Sequence, residues 1–275
     1  MVSELRVPLG VDPTKPSIAR VYDYMLGGRN NFAVDRDAGD KALRITPDAP
    51  VAGRANRAFL GRVIRYLVTE VGVRQLLDIG SGLPTQGNVH EIAHSIDPSV
   101  RVVYIDNDPM ALAHGRALLA GTGTTTVIQA DLRQPEEILA HPEIRERIDF
   151  THPVGLLLIG ILHHINDHED PVGITDRLRA ALPPGSHLAL SHFHNPGDRL
   201  PDIAWKARAA EKVFNETLGT GRWRSTEEIM RYFGDMDVLE PGLVPLPDWR
   251  PDPGQTHDLQ PHTYHTFVGG LARMA

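Results

Sequence analysis

Short apolar runs alternate with segments of helical length between residues 75 and 191, and no other feature limits the possible folds as strongly. The runs that have the length of a β-strand cover residues 75–79, 102–105, 124–129, 154–161 and 187–191. The run at 154–161 is continuously apolar, which is typical of a strand buried on both faces of a sheet. Strands separated by helices form βαβ units, so the sequence predicts an α/β fold with a mostly parallel sheet.

Helical periodicity precedes this region. Helices are predicted at residues 17–26, 35–43 and 54–71. Ser17 is expected to cap the first helix with its side chain, and Gly27-Gly28 to end it. The preceding residues are rich in proline and glycine, so we predict a flexible arm over residues 1–15 and an N-terminal helical lid segment over residues 16–72.

The C-terminal third continues the α/β domain, which we place at residues 73–275. A long helix is predicted over residues 203–218, and another is predicted to begin at Ser225, where Glu228 three residues later completes a capping box. Residues 238–239 and 263–271 are predicted to form an antiparallel hairpin at the edge of the sheet.

Composition narrows the class of protein. The chain has 275 residues, of which 41% are hydrophobic and 23% charged, as in ordinary globular proteins. The formal net charge of −7 disfavours a nucleic acid as the partner. The absence of cysteine excludes disulfides, thiolate metal sites and cysteine nucleophiles. Since the sequence contains neither a membrane-spanning apolar stretch nor a secretion signal, we predict a cytoplasmic protein without a membrane partner.

A glycine-rich turn follows the first predicted strand. The sequence reads Leu76-Leu77-Asp78-Ile79-Gly80-Ser81-Gly82. A strand that runs into such a turn lets a ligand approach the backbone, because the glycines carry no side chain. The alternative interpretation is a βα turn that binds nothing.

Acidic residues also end the next two strands. Asp106, followed by Asn107, is placed to accept hydrogen bonds from ribose hydroxyls. Its alternative role is that of a helix N-cap, but Asp108 is available for capping. Asp131 follows the third strand, where it is placed to accept a hydrogen bond from an adenine amino group while Leu132 covers the ring face. Three such acids predict an adenosine site.

A dinucleotide is the less favoured ligand. The dinucleotide-binding fingerprint needs a third glycine three residues after the second, and that position is Thr85, with Pro84 before it. An adenosine without a diphosphate fits better, and S-adenosylmethionine meets that description.

These motifs resemble the three nucleoside-binding motifs of class I methyltransferases. The segment Ala19–Phe32, the run Leu157–His164 and the tail from Gly242 to Pro251 resemble an actinobacterial S-adenosylmethionine-dependent methyltransferase-like family, long catalogued as a domain of unknown function. The resemblance covers nearly the whole chain beyond residue 15. It implies a Rossmann-like class I methyltransferase fold, with a mostly parallel seven-stranded sheet flanked by helices and S-adenosyl-L-methionine as cofactor.

The resemblance also implies roles for particular residues. The backbone of Gly80–Leu83 is expected to contact the methionine part of the cofactor, with Gly160 beneath it. The N-terminal segment is expected to fold over the cofactor as a lid. There the rings of Tyr22, Tyr24 or Phe32 would shield the sulfonium, and Arg29 would bind the methionine carboxylate. Helix packing is the alternative role of the two tyrosines, whereas Arg29 and Asn30 are hard to explain as scaffold.

Histidines follow the fourth and fifth strands. His163, His164 and His192 are candidate catalytic residues, because an imidazole suits proton removal near neutral pH. The alternative is that some of them only support others. The chain has neither cysteine nor an HExxH motif, so no metal site is predicted.

The predicted function is transfer of a methyl group from S-adenosylmethionine to an oxygen or nitrogen of a small-molecule substrate. Two alternatives stay open: a non-catalytic protein that senses S-adenosylmethionine, and an NAD(P)-dependent oxidoreductase. The sequence does not distinguish a monomer from a homodimer.

Overall fold

A computed structural model describes residues 7–84, 87–119 and 123–275 of the chain. The strands in these ranges are β1 Gln75–Ile79, β2 Arg101–Asp106, β3 Thr125–Gln129, β4 Gly155–Ile159, β5 His187–Phe193, β6 Asp237–Val238, β7 Val244–Pro245 and β8 Phe267–Arg273. They form one sheet in the order β3-β2-β1-β4-β5-β8-β6, with β7 paired to β8. Strands β1 to β5 pair in parallel, while β8 runs antiparallel to its neighbours.

The predicted α/β class with a mostly parallel sheet is confirmed. Seven strands were expected and eight occur in the described ranges, because the C-terminal region contains one further strand of only two residues, β7. The first four residues of β4 are buried, which explains the continuously apolar run around this strand. The strand order reverses direction between β1 and β4, so the connections leaving these two strands diverge and open a crevice at their carboxyl ends.

Helices cover both faces of the sheet. Within the described ranges they are α1 Ile18–Met25, α2 Ala33–Ile45, α3 Ala49–Tyr66, α4 Val89–Ile96, α5 Pro109–Leu119, α6 Pro135–Ala140, α7 Pro142–Arg147, α8 Pro171–Ala180, α9 Pro201–Leu218, α10 Thr226–Met230 and α11 Pro261–His265. Helix α11 corrects the prediction of a strand from residue 263, because Pro261 starts a helix and the strand begins only at Phe267.

Helix α3 packs in the same core as the sheet. Phe59 and Ile64 are fully buried, together with Leu76 of β1 and Leu271 of β8. The Phe59 ring also meets the buried Trp249 ring edge-on, with 5.4 Å between the centroids. The predicted lid segment over residues 16–72 is therefore not one packing unit, since its last third belongs to the core of the α/β domain.

The two predicted caps have different outcomes. The capping box at α10 is confirmed: the Ser225 side chain accepts from the Glu228 backbone at 3.2 Å, and Glu228 accepts from the Ser225 backbone at 2.7 Å. At α1, by contrast, Ser17 is the N-cap residue but its side chain makes no cap hydrogen bond. The Ser17 hydroxyl instead donates to Asp108.

None of the helices in the described ranges has the length and apolar character needed to cross a membrane.

Candidate cofactor and active site

A cavity of about 500 Å³ lies at the carboxyl ends of the parallel strands. Its floor comes from the ends of β1, β2, β4 and β5, through the residues Asp78, Gly80, Ser81, Gly82, Asp106, Asn107, Gly160, His163, His164 and Phe193. Its roof comes from the arm over residues 10–17 and from helices α1 and α3, through Tyr22, Met25, Asn56 and Arg57 among others. The fold thus brings most of the predicted site residues to one enclosed space.

The glycine turn after β1 is shaped for close approach by a ligand. Gly80 and Gly82 have φ values of +75° and +67°, a region that other residues rarely adopt. A Cβ on Gly80 would lie 2.5 Å from the Ile161 side chain, whereas a Cβ on Gly82 would meet nothing within 4 Å. Gly80 is therefore required by packing, while Gly82 leaves open space beside its backbone.

Asp106 lies at the end of β2 and lines the cavity while only 8% exposed. One carboxylate oxygen accepts from the Gly82 backbone N–H at 2.7 Å, and the other accepts from the Asp108 backbone N–H at 2.9 Å. Asp108 in turn caps α5, accepting from the Met110 backbone at 2.8 Å. Since a carboxylate has about four lone-pair sites, Asp106 holds the turn and retains acceptor capacity for a ligand.

Asp78 is the second acid in the cavity. It is only 5% exposed, and this burial raises the pKa of its carboxyl group to about 7, although the positive charge of Arg57 opposes the shift. For Asp106, burial likewise raises the pKa, to about 6. Two buried acids that titrate near neutral pH at one cleft are typical of a site that binds a charged ligand.

Asp131 and Leu132 lie outside the set of residues that line the cavity. Asp131 accepts from Asn107 at 3.3 Å and pairs with Arg133 at 3.1 Å, and both of these partners do line it. Leu132 is 5% exposed and packs in the main hydrophobic core, so its side chain does not cover a ligand ring in this arrangement. The structure therefore places Asp131 behind two cavity residues rather than in the cavity itself.

The N-terminal signature is divided between the cavity and the scaffold. Tyr22 lines the cavity, and its hydroxyl donates to the Gly53 carbonyl at 3.1 Å. Tyr24 packs over Gly39 and donates to Asp40 at 2.8 Å. Phe32 packs beside Leu83 in a small cluster. Of the three candidate rings, only Tyr22 is in position to shield a sulfonium.

Arg29 and Asn30 are not among the residues that line the cavity, contrary to expectation. Arg29 is exposed. The Asn30 backbone and the Asn31 side chain each donate to the buried Asp23 carboxylate at 2.9 Å. The polar run after Gly27-Gly28 is thus a loop folded around Asp23. In this structure Asn30 therefore stabilises the loop, whereas the sequence suggested a contact with the cofactor.

A charged network that the sequence did not reveal holds the arm over the cavity. The Arg20 guanidinium bonds to Asp35 at 2.8 Å and lies 3.7 Å from Asp108, and all three side chains are nearly or fully buried. Arg20 also donates to the Lys15 carbonyl at 2.5 Å. Asp35 accepts in addition from the Ser17 backbone at 2.9 Å. Through Asp108, this network connects the roof to the same turn that contains Asp106.

Gly160 lies at the end of β4 with φ +72° and lines the cavity as predicted. A Cβ there would come within 3.2 Å of the Asn56 amide nitrogen. Asn56 itself is buried, and its side-chain oxygen accepts from the Ser191 hydroxyl at 2.6 Å. Gly160 thus allows an amide from α3 to lie against the middle of the cavity. Neither Asn56 nor Ser191 has a sequence motif by which it could have been found.

The three candidate catalytic histidines have different positions. His163 and His164 line the cavity, whereas His192 is not among the lining residues. His192 is fully buried, with its two ring nitrogens bonded to the Phe193 carbonyl at 2.6 Å and to Arg224 at 3.1 Å. These contacts give His192 a supporting role, and its selection as a catalytic candidate is not supported.

Burial keeps both cavity histidines neutral. Burial lowers the pKa of His164 to about 3, and the pKa of His163 also lies well below its usual value. The Phe193 backbone N–H donates to His163 Nδ1 at 3.3 Å, so this nitrogen is an acceptor. Neutral imidazoles can accept a hydrogen bond, but with pKa values this low neither ring is an effective proton acceptor at neutral pH.

Together, the strand order and the glycine turn at the carboxyl edge of the sheet are those of a class I methyltransferase-type α/β protein. The chain matches the S-adenosyl methyltransferase family over residues 6–275. It therefore belongs to that family, whose methyl donor is S-adenosylmethionine. The fold and the cofactor predicted from the sequence are confirmed.

Solved structures agree with this assignment. A proposed methyltransferase from Thermobifida fusca is similar with 43% identity and a TM-score of 0.90, over 97% of this chain and 98% of that one. A DUF574 family protein from Streptomyces avermitilis is similar with 37% identity and a TM-score of 0.88, over 96% and 99% of the two chains. An O-methyltransferase family 2 protein from Planctomyces limnophilus shares only the fold, with 17% identity and a TM-score of 0.51, over 93% and 65%. No functionally curated protein matches the chain.

Proposed function

We propose that the protein transfers a methyl group from S-adenosylmethionine to an oxygen or nitrogen of a small molecule. One observation carries this proposal. A single cavity extends from the glycine turn, past Gly160, to His163, His164 and Phe193. A donor and an acceptor bound at its two ends share one cavity, which can hold them in line for transfer.

The residues at the donor end fit S-adenosylmethionine. Gly82 leaves open space beside its backbone, and Asp106 has acceptor sites for ribose hydroxyls. Asp78 is a buried carboxylate suited to the α-ammonium group of the methionine part. The face of the Tyr22 ring suits a sulfonium, because cations are attracted to aromatic faces. Asn107 also lines this end of the cavity.

The chemistry then requires little from the protein. S-adenosylmethionine, when bound, supplies an electrophilic methyl group. The acceptor atom forms its new bond to the methyl carbon as the carbon–sulfur bond breaks, and the proton of the acceptor passes to a neighbouring base or to water. His164, whose Nδ1 has no partner in the described part of the chain, is the neutral group that can receive a hydrogen bond from that acceptor, whereas His163 Nδ1 already accepts from the Phe193 backbone. The remaining contribution is orientation in a closed space.

Methyl transfer is tested by incubating the protein with a donor labelled on its methyl carbon and fractionated small-molecule pools. We expect label to appear in a small molecule in proportion to enzyme concentration. Calorimetric titration with S-adenosylhomocysteine and with NAD(P) is the companion measurement. Donor binding without turnover over a broad set of acceptors would favour a sensor protein. Tight NAD(P) binding in place of S-adenosylhomocysteine would contradict the proposal.

Binding of S-adenosylhomocysteine should depend on pH through Asp78. The carboxyl group has a pKa of about 7 in the free protein, so it is half ionised at that pH and mostly ionised above it. An ammonium group favours the ionised carboxylate. Affinity should therefore be highest above pH 7 and fall as the pH drops, by at most about tenfold per pH unit.

Calorimetry between about pH 5 and pH 8 measures this dependence. Asp78→Asn should bind more weakly and lose the change near pH 7, while retaining a smaller change near pH 6 from Asp106, whose pKa is about 6. A wild-type affinity that is constant across this range would show that Asp78 does not face the ammonium group.

A further inference from the structure

Five rings form an aromatic chamber at the far end of the cavity, opposite the glycine turn. Its members all line the cavity: His163, Phe193, Phe214, Trp223 and Phe267. Phe193 is stacked between His163, at 3.6 Å between centroids, and Trp223, at 4.2 Å. Phe214 meets Trp223 edge-on at 5.2 Å. These rings come from four separate parts of the chain, so the chamber is a product of the fold.

The chamber carries no formal charge. Its remaining walls come from apolar and hydroxyl side chains such as Met25, Leu218 and Thr266. The nearest cavity cation is Arg133, which contacts the His164 carbonyl at 3.5 Å and is paired with Asp131 and Glu169. The charged groups that suit the donor lie at the other end. A charged acceptor would lose its hydration in the chamber without gaining a partner there.

One buried polar atom beside the chamber lacks a partner. His164 lines the cavity and is 5% exposed, and its Nδ1 has no hydrogen-bond partner in the described part of the chain. The backbone of His164 is fixed, because its carbonyl accepts from the Thr220 hydroxyl at 2.7 Å. A buried polar atom without a partner is costly, so a ligand that supplies one gains affinity.

We propose that the aromatic chamber binds an uncharged, planar aromatic acceptor whose hydroxyl group hydrogen-bonds to His164. This inference rests on the proposed function and names its substrate class. The faces of Phe193 are covered by His163 and Trp223, so an aromatic body in the cavity would pack edge-on against these rings, an arrangement that aromatic pairs favour. Because the chamber has no charged side chain, it favours a neutral molecule. Because His164 offers a hydrogen bond, it favours a hydroxyl group over a hydrogen atom or a methoxy group at the same position of the ligand.

Binding to the protein saturated with S-adenosylhomocysteine tests the proposal. The probes are 2-naphthol, 2-methoxynaphthalene, 2-naphthoate and the saturated alcohol trans-2-decalol. Trp205→Phe removes the exposed tryptophan, so that fluorescence reports on Trp223 and on the core residue Trp249. We expect 2-naphthol to quench this fluorescence and to bind about tenfold more tightly than each of the other three.

Two variants locate the site. Trp223→Ala should weaken 2-naphthol binding, measured by calorimetry, about tenfold while leaving S-adenosylhomocysteine binding unchanged. His164→Phe retains a ring and should abolish the preference for 2-naphthol over 2-methoxynaphthalene. Trp205→Ala, at a tryptophan that is 65% exposed, is the matched control and should change neither affinity.

Equal binding of 2-naphthol and trans-2-decalol, or preference for 2-naphthoate, would overturn the proposal. If the Trp223→Ala variant does not fold, the affinities of the wild-type protein for the four probes and the selectivity of His164→Phe still test the proposal. The two proposals fail differently. Loss of S-adenosylhomocysteine binding counts against methyl transfer, whereas retained binding with no aromatic selectivity counts only against the aromatic acceptor.

Discussion

Arg20→Ala should destabilise the folded protein by about 3–5 kcal/mol, the largest effect that we expect from a single substitution. Arg20 is 4% exposed and Asp35 is fully buried, so the substitution leaves a carboxylate in the interior without its cation. The loss also affects Asp108, which lies 3.7 Å from the guanidinium. Removing one partner from a buried pair costs far more than the pair contributes, because the remaining charge stays desolvated.

Urea unfolding, monitored by circular dichroism, measures this loss as a lower midpoint at unchanged slope. Arg29→Ala is the matched control, since Arg29 is an exposed arginine in the same N-terminal signature. Its midpoint should equal that of the wild type. The double variant Arg20→Ala/Asp35→Asn should regain part of the lost stability, because it no longer buries a lone carboxylate. A midpoint for Arg20→Ala close to the wild-type value would refute this account of the network.

Asp106→Ala should weaken binding of S-adenosylhomocysteine by about 1–3 kcal/mol, which is roughly 5- to 150-fold. Two causes act together. The substitution removes the acceptor sites that we assign to the ribose hydroxyls. It also removes the bond that holds the Gly82 backbone at 2.7 Å, and so loosens the turn beside the ligand.

Calorimetric titration measures this affinity, and Asp106→Asn separates the two causes. The amide retains one acceptor oxygen but also points two donors at partners that are themselves donors, so it should not restore wild-type affinity. Asp131→Ala is the comparison at the next strand end. Because Asp131 acts on the cavity through Asn107 and Arg133, we expect a smaller loss there. Unchanged affinity in Asp106→Ala would mean that this acid serves only the turn.

The sheet and the donor end of the cavity were predictable from the sequence because their signals are local. A strand buried on both faces favours a continuous apolar run, so β4 is evident over a few residues. A close ligand approach needs glycine, so the turn after β1 is evident as well. Asp106 follows from the same logic. The strand bounds of β1, at residues 75–79, agree with the prediction at both ends.

The roof and the acceptor end were not predictable in this way because they depend on distant pairs. Arg29 resembles an anion-binding residue in sequence, but the loop folds around Asp23 and leaves Arg29 exposed. His192 follows the predicted strand at 187–191 just as a catalytic residue would, yet β5 continues to Phe193 and Arg224, 32 positions later, occupies one of the His192 nitrogens. Nothing in the local sequence around Trp223 indicates that it packs against Phe193.

The roof of the cavity also bears on the timing of a catalytic cycle. Residues 10–17 lie over the donor end and are held there largely by polar contacts around Asp108, with Gly10 against Pro109 at the start of α5. Breaking those contacts would widen the opening through which a molecule bound beneath the cover leaves. We therefore expect departure of the spent donor, rather than bond making, to limit how often each enzyme molecule turns over.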